Sequence, residues 1–293
     1  MNDYLIYADV SIDIDPAFAE AHDIHFIPMS YSLGEEDRLC QGMESEELLK
    51  KFYQGQRDGD VTHTSQITPQ KYMDAFAPAL AEGKDVLYIC LSSGLTKTYD
   101  SALLAKRELE EEYPDAKVFP VDSLGATGGM GLLTEFAAEY KESGMTIVEN
   151  VKALEAIRLD ICHLFMVEDL MYLKRGGRVS AATAVVGTML NVKPILIIDD
   201  QGKLPTIDKK RGVKPALKDM IRRVTKCRNP EYHRYYIMHA DAPERADFLV
   251  NQVKALDPEA VIKVRPLCPV IGAHTGPGMA AVVWIGDRNR IAD

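Results

Sequence analysis

Long hydrophobic runs are missing from this 293-residue chain. No stretch approaches the ~18 consecutive apolar residues that a membrane-spanning helix requires. Excess positive charge is missing as well: 34 Lys and Arg against 44 Asp and Glu give a formal net charge of −10. That balance argues against nucleic acid or an anionic membrane surface as the main partner. Cysteine is sparse, and Cys40, Cys90, Cys162, Cys227 and Cys268 are odd in number and widely scattered. They show neither C-x-x-C spacing nor a histidine-rich neighbour, which disfavours a disulfide framework and a structural zinc site. The opening Met1-Asn2-Asp3 has no basic stretch before an apolar run. Internal repeats and low-complexity tracts are absent. The expectation from these absences is a soluble cytoplasmic protein with no metal, no nucleic-acid partner and no integral membrane segment.

What is present is an alternation of short apolar runs with amphipathic stretches. Tyr4 to Ala8, Phe26 to Met29, Val86 to Leu91 and Lys117 to Val121 have strand character, while Thr96 to Glu112 and Gly129 to Glu142 have helical spacing. The second half repeats the pattern with strands at His163 to Val167, Lys193 to Ile198, Tyr235 to His239 and Val282 to Gly286. Its helices fall at Lys214 to Arg223 and Pro243 to Leu256. With 46% apolar residues a substantial core is available. The length favours two α/β domains, and a boundary near Gly144-Met145-Thr146 and the helix after it gives residues 1–155 and 156–293.

Three polar segments could together hold one carboxylate or phosphate: Thr62-His63-Thr64-Ser65-Gln66, Ser92-Ser93-Gly94-Leu95-Thr96, and Gly272-Ala273-His274-Thr275-Gly276-Pro277-Gly278. The first reads as a loop entering a helix that Thr68 caps and Pro69 begins. The second follows a strand and precedes a helix, where backbone amides accept anions, although taken alone it is better explained by Ser92, Ser93 or Thr96 capping that helix. A nucleophile elbow would need G-x-S-x-G, and Cys90-Leu91-Ser92-Ser93-Gly94 lacks the first glycine. In the third segment, His274 sits on a glycine and proline frame expected to be flexible. His22, His25, His63, His163, His233 and His239 have no such setting and are read as structural or solvated. Asp122 to Gly131 lacks G-x-G-x-x-G spacing, so its small residues point to close helix-on-sheet packing rather than a dinucleotide site. Lys174-Arg175-Gly176-Gly177-Arg178 is a basic turn in an acidic chain, suited to contacting a partner's carboxylates or a phosphoryl group.

Taken in order, Thr64-Ser65-Gln66, Ser92-Ser93-Gly94-Leu95, Asp122-Ser123, Leu173 to Arg178, Lys193-Pro194-Ile195-Leu196 and Gly272 to Gly278 resemble the characteristic segments of the DegV family. These are acyl-chain-binding proteins that include the FakB subunit of bacterial fatty acid kinase, and the resemblance runs through essentially the whole chain. It implies two α/β domains around a buried lipid tunnel, with the head-group site at their interface. Thr64, Ser93 and His274, with the Gly94 amide, match positions expected to hold a fatty-acid carboxylate, with Ser65 and Thr96 as secondary contacts. Arg175 and Arg178 match the region expected near the docking surface of a FakA-type ATP-binding kinase subunit. The bound long-chain fatty acid would be a ligand rather than a cofactor, and no catalytic residue or metal is required of this chain. The chain departs from the family pattern at Asp9-Val10-Ser11-Ile12-Asp13, at Ile67 after Gln66, and at Lys97, which would add charge at the mouth. Phe26, Met29, Leu95 and Ile271 are candidates to shape the tunnel. Two other readings stay open: a serine-dependent acyl hydrolase using Ser93 and His274, and a passive lipid carrier or regulator.

Overall fold

The computed structural model describes residues 3–42, 44–180 and 191–292. The first half supplies strands β1 (Tyr4–Asp9), β2 (Ile24–Ile27), β3 (Met29–Leu33), β4 (Glu36–Cys40), β5 (Thr62–Thr64), β6 (Asp85–Cys90) and β7 (Val118–Asp122). The second half supplies β8 (Ile161–Met166), β9 (Val192–Ile197), β10 (Thr206–Arg211), β11 (Arg234–His239), β12 (Val261–Pro266) and β13 (Ala280–Ile285). The helices of the first half are α1 (Pro16–Ala21), α2 (Glu46–Asp58), α3 (Pro69–Ala81), α4 (Thr98–Glu112), α5 (Gly128–Glu142) and α6 (Ile147–Ile157). Those that follow are α7 (Met171–Arg175), α8 (Val213–Cys227), α9 (Pro243–Leu256) and α10 (Pro269–Thr275).

Three sheets organise these elements. β2-β1-β6-β7 is parallel throughout, β10-β9-β8-β13-β11-β12 is mixed, and β4-β3-β5 is a small antiparallel sheet. The parallel sheet follows from composition. β6 is buried at every residue, as expected of a strand covered on both faces. Pro28 interrupts the run Phe26 to Met29, which therefore divides between β2 and β3 in two different sheets instead of forming one strand. The α3 start agrees with its sequence signals, since Thr68 accepts the Lys71 N–H at 3.4 Å and Pro69 occupies the first turn.

Helix α5 joins the two larger sheets. Its residues from Gly128 to Ala138 are all buried, and it packs against β1 and β6 on one side and against β8, β11 and β13 on the other. A helix buried on every face belongs inside a protein rather than on its surface. The Gly128 to Gly131 stretch makes this approach feasible: a Cβ on Gly129 would fall inside the His163 imidazole, and one on Gly128 would lie 2.8 Å from Met238 Sδ. Close helix-on-sheet packing is thus what those small residues provide. No helix among the described residues is long and apolar enough to cross a membrane.

Candidate functional site

The β6–α4 turn lies at the carboxyl end of β6, beside the point where the parallel sheet's strand order reverses around β1. Two buried carboxylates hold it. Asp9, fully buried at the end of β1, accepts the Leu91 N–H at 3.0 Å, the Tyr88 hydroxyl at 3.2 Å and the Ser11 N–H at 3.0 Å. Burial raises the pKa of Asp9, and these hydrogen bonds oppose the rise. Asp122, at the end of β7, accepts the Ser93 and Leu124 N–H groups, each at 3.1 Å. Asp9 and Asp122, both in segments compared with the family pattern, therefore position Ser93 from below, a role that the sequence reading did not give them.

Helix α10 is fixed from the other side. Tyr53 on α2 donates to the Leu267 carbonyl at 2.9 Å, Gln56 donates to Gly272 O at 3.0 Å, and Thr62 on β5 donates to Ala273 O at 3.0 Å. The Cys268 N–H donates to Asp13 Oδ1 at 2.9 Å just before the helix begins. His274 is consequently on the last turn of a held helix, which corrects the expectation of a flexible glycine-proline peptide. Thr64 likewise ends a short strand, β5, paired with β3, rather than lying in a loop.

These supports bring Thr64 Oγ1 to 2.7 Å from His274 Nε2. The His274 residue is half-buried, but its Nδ1 is sealed from solvent and has no hydrogen-bond partner among the described residues. Gly176 closes that side of the ring, because a Cβ there would overlap Nδ1. Burial first, then the Arg178 guanidinium and His63, holds the imidazole down to about 3, so it is neutral at ordinary pH. With its proton on Nε2, His274 donates to Thr64 Oγ1 and leaves the threonine O–H to donate into the adjoining cavity.

That cavity has a volume of about 420 Å³, within the range of small-molecule sites. Its wall is divided. Thr64, Ser65, Ser93, Thr96, Lys97, Arg178 and His274 line the part that includes exposed residues, while Leu91, Phe165, Leu173, Met279, Ala281 and Val283 line the buried part. Met29, Leu95 and Ile271 are in the wall as the sequence suggested. Phe26 is not; it lies beside Gly42 instead, because β2 runs at the far edge of the parallel sheet.

Several of the expected contacts are already engaged. The Gly94 N–H donates to Ser92 Oγ at 3.1 Å, and the turn at Gln201-Gly202 packs directly over Gly94. Thr96 Oγ1 accepts the Thr98 N–H at 3.2 Å and pairs with the Thr98 hydroxyl at 2.9 Å, so it serves the start of α4. Ser65 is exposed, and its N–H donates to Ser30 O at 3.0 Å. Lys97 is exposed and pairs with Asp100 at 3.2 Å. Arg175 and Arg178, expected as one docking pair, are separated. Arg175 is exposed, with its guanidinium 5.4 Å from the Tyr172 ring, whereas Arg178 turns inward, donates from Nε to Leu95 O at 3.0 Å and to Gly176 O, and lines the cavity. The turn places one side chain on each side of the chain because Gly177 adopts a left-handed conformation, φ +75°. His163, read from sequence as structural or solvated, also lines the cavity.

A family model described as "Uncharacterised protein, DegV family" matches residues 4–287. The DegV domain-containing protein of Clostridium perfringens is 34% identical over 288 residues, covering 98% of this chain and 99% of the relative. The structure described as fatty acid binding of a DegV family protein from Thermus thermophilus superposes with a TM-score of 0.83 at 27% identity, covering 97% of this chain and 99% of that one. The Streptococcus pneumoniae Fatty Acid Kinase (Fak) B3 protein loaded with linoleic acid has the same fold, with a TM-score of 0.83 at 20% identity and coverage of 97% and 99%. With a family match over residues 4–287, a relative 34% identical over nearly the whole of both chains and a shared α/β fold, the chain belongs to the DegV family.

Proposed function

We propose that this chain binds a long-chain fatty acid, seating the tail against the apolar wall and the carboxylate at Thr64, Ser93 and His274. The carrying observation is the make-up of the cavity wall, in which the half-buried and exposed positions carry the Thr64 and Ser93 hydroxyls, the His274 imidazole and the Arg178 guanidinium, while the buried positions are mostly apolar, such as Leu91, Phe165, Leu173, Ala281 and Val283. A tail of about fifteen methylenes contributes about 0.8 kcal/mol per buried CH₂, a gross ~12 kcal/mol before ordering costs. The tail thus supplies affinity and the polar end supplies orientation. Thr64 and Ser93 hydroxyls donate to the carboxylate, His274 fixes the Thr64 rotamer, and Arg178 places positive charge beside them. The Gly94 amide joins this set only by exchanging its Ser92 partner for the ligand. The fatty-acid-binding Thermus thermophilus relative supports the same ligand class.

The finer step is presentation of the bound acid to a FakA-type ATP-binding kinase subunit, which would phosphorylate the carboxylate to an acyl phosphate. The fold shared with the Fak B3 protein supports this reading. Magnesium and ATP would come with the partner, so this chain's residues need only bind, orient and exclude water from the acyl phosphate. Exposed Arg175, beside the mouth, is the residue we assign to docking. The same reading divides the chain into two α/β domains near residue 155, since α6 packs on the parallel sheet and β8 opens the mixed one. The hydrolase reading is disfavoured by geometry: His274 Nε2 is taken by Thr64, and no carboxylate among the described residues orients Nδ1.

Native mass spectrometry of the purified full chain, set against its denatured extract, tests the ligand. A long-chain fatty acid released only on denaturation is expected; a protein that carries no lipid and takes up none on addition of palmitate would contradict it. The kinase step is tested by trapping acyl phosphate with hydroxylamine after mixing loaded protein, an ATP-binding partner and Mg-ATP. A passive carrier would yield no hydroxamate.

A further inference from the structure

We infer that Lys97 recognises the phosphorylated head group, so that this chain holds an acyl phosphate more tightly than the fatty acid from which it is made. The inference rests on the kinase reading above and extends it to the product of that step. Lys97 is a point at which the chain departs from the family pattern, just after Ser92-Ser93-Gly94-Leu95. It stands at the start of α4 and lines the cavity together with Ser93, Thr96 and Arg178. Its side chain is 77% exposed and its Nζ lies 3.2 Å from Asp100 Oδ2, a carboxylate that is itself 58% exposed. A pair this open to water is weak, and it exchanges for a better placed anion at little cost.

The other donors at this part of the wall are committed. The Gly94 N–H donates to Ser92 Oγ, the Thr96 hydroxyl pairs with that of Thr98, and Thr64 pairs with His274. Arg178 is anchored by its bonds to Leu95 O and Gly176 O. Behind Ser93 the Asp122 carboxyl accepts the Ser93 N–H at 3.1 Å, so its negative charge opposes any anion placed there. Arg178 offsets that charge for a carboxylate, which brings a single negative charge of its own.

A phosphorylated head group asks for more. It carries about −1.5 to −2 charges at neutral pH and three terminal acceptor oxygens. With the acyl carbonyl seated at Thr64 and Ser93, the phosphoryl group extends away from the apolar part of the wall, toward the exposed residues. Lys97 is there, with three donors on a flexible four-carbon stem that can follow those oxygens, whereas the anchored guanidinium of Arg178 cannot. Charge at this position therefore favours the phosphoryl form over the carboxylate, and the preference is screened by salt because the lysine is exposed.

Calorimetric titration of the full-length, delipidated protein with palmitate and with palmitoyl phosphonate, a non-hydrolysable analogue of the acyl phosphate, tests the inference. At low salt the phosphonate is expected to bind about fivefold more tightly than palmitate, and the ratio of the two affinities to shrink as sodium chloride is added. Lys97→Gln is expected to lower that ratio about fivefold and to remove its salt dependence. Lys97→Arg should keep most of the ratio, and Asp100→Asn, which releases the lysine, should raise it. A ratio in Lys97→Gln equal to the wild type's, or a wild type that binds the phosphonate more weakly than palmitate, would overturn the inference and leave the fatty-acid reading intact. Failure of the wild type to bind palmitate would overturn the fatty-acid reading itself. A protein that discriminates as expected but yields no acyl hydroxamate with an ATP-binding partner and Mg-ATP would overturn the kinase reading on which the inference rests.

Discussion

At its mouth the cavity is assembled from segments around residues 64, 93, 176 and 274, far apart in the chain and tied by directed hydrogen bonds. Thr64 meets His274, Ser93 hangs from Asp122, and Arg178 reaches Leu95. In the interior, β8 and β13 are neighbours in one sheet and the wall is made by close packing against α5, as where the His163 ring meets Gly129. The contrast teaches that the two ends should fail differently. Damage to the interior costs stability, because packing has no slack there. Damage to the mouth costs ligand affinity, because each lost hydrogen bond leaves the fold standing.

The largest effect is expected from Gly129→Ala, which forces a methyl group into the His163 ring. Denaturant unfolding should show a loss of about 3 kcal/mol. A loss below about 0.5 kcal/mol would mean that the interior is as adaptable as the mouth.

The next effect depends on pH. Burial holds His163 down to about 3. The folded state therefore keeps it neutral while the unfolded chain protonates it below about 6.5. Its contribution to stability is fully present above pH 6.5 and is lost as pH falls from there toward 3. Asp13, raised to about 7, acts in the opposite sense: it favours the fold at low pH and loses that contribution as pH rises through 7. Comparison with His163→Leu isolates the histidine. Between pH 7 and 5 the wild type should lose about 2 kcal/mol more than the variant.

At the mouth, His274→Ala should weaken fatty-acid binding about 30-fold by calorimetry, because it frees the Thr64 hydroxyl that His274 holds toward the charged carboxylate. Ser93→Ala should weaken it about fivefold, since Ser93 is exposed and water can replace it. If both affinities stand unchanged, the carboxylate assignment fails. The smallest effect is expected from Arg175→Ala, which should lower acyl-phosphate formation with the kinase partner about threefold through docking alone. Turnover equal to wild type across partner concentrations would remove Arg175 from the interface.

How much of this was legible in the sequence follows from the same contrast. Strand β13 is apolar throughout, β6 is apolar after Asp85, and helix α9 begins at a proline, so apolar runs and start signals locate them. The small sheet was not legible, because β5 is three polar residues whose partners come from β3 thirty residues earlier. β10 is Thr-Ile-Asp-Lys-Lys-Arg, an edge strand whose pattern carries no core signal. Helix α10 holds glycines at 272 and within a residue of its end, so its sequence resembles a loop, and it is held by contacts from distant residues, Asp13, Tyr53, Gln56 and Thr62. The carboxylate candidates were found as residues; Thr62 and Asp122 were named without their supporting role, and Tyr53 and Gln56 were not named. The place of His163 in the wall depends on which face of β8 looks inward, and a fully buried strand does not reveal that.

The most direct test of the central claim is a crystal structure of the protein with palmitate bound. The expected density runs from a carboxylate within hydrogen-bond distance of Thr64 and Ser93, beside His274, to a tail lying against Phe165, Ala281 and Val283. A carboxylate buried among those apolar side chains with the tail at the mouth, or palmitate bound elsewhere on the protein, would contradict the account.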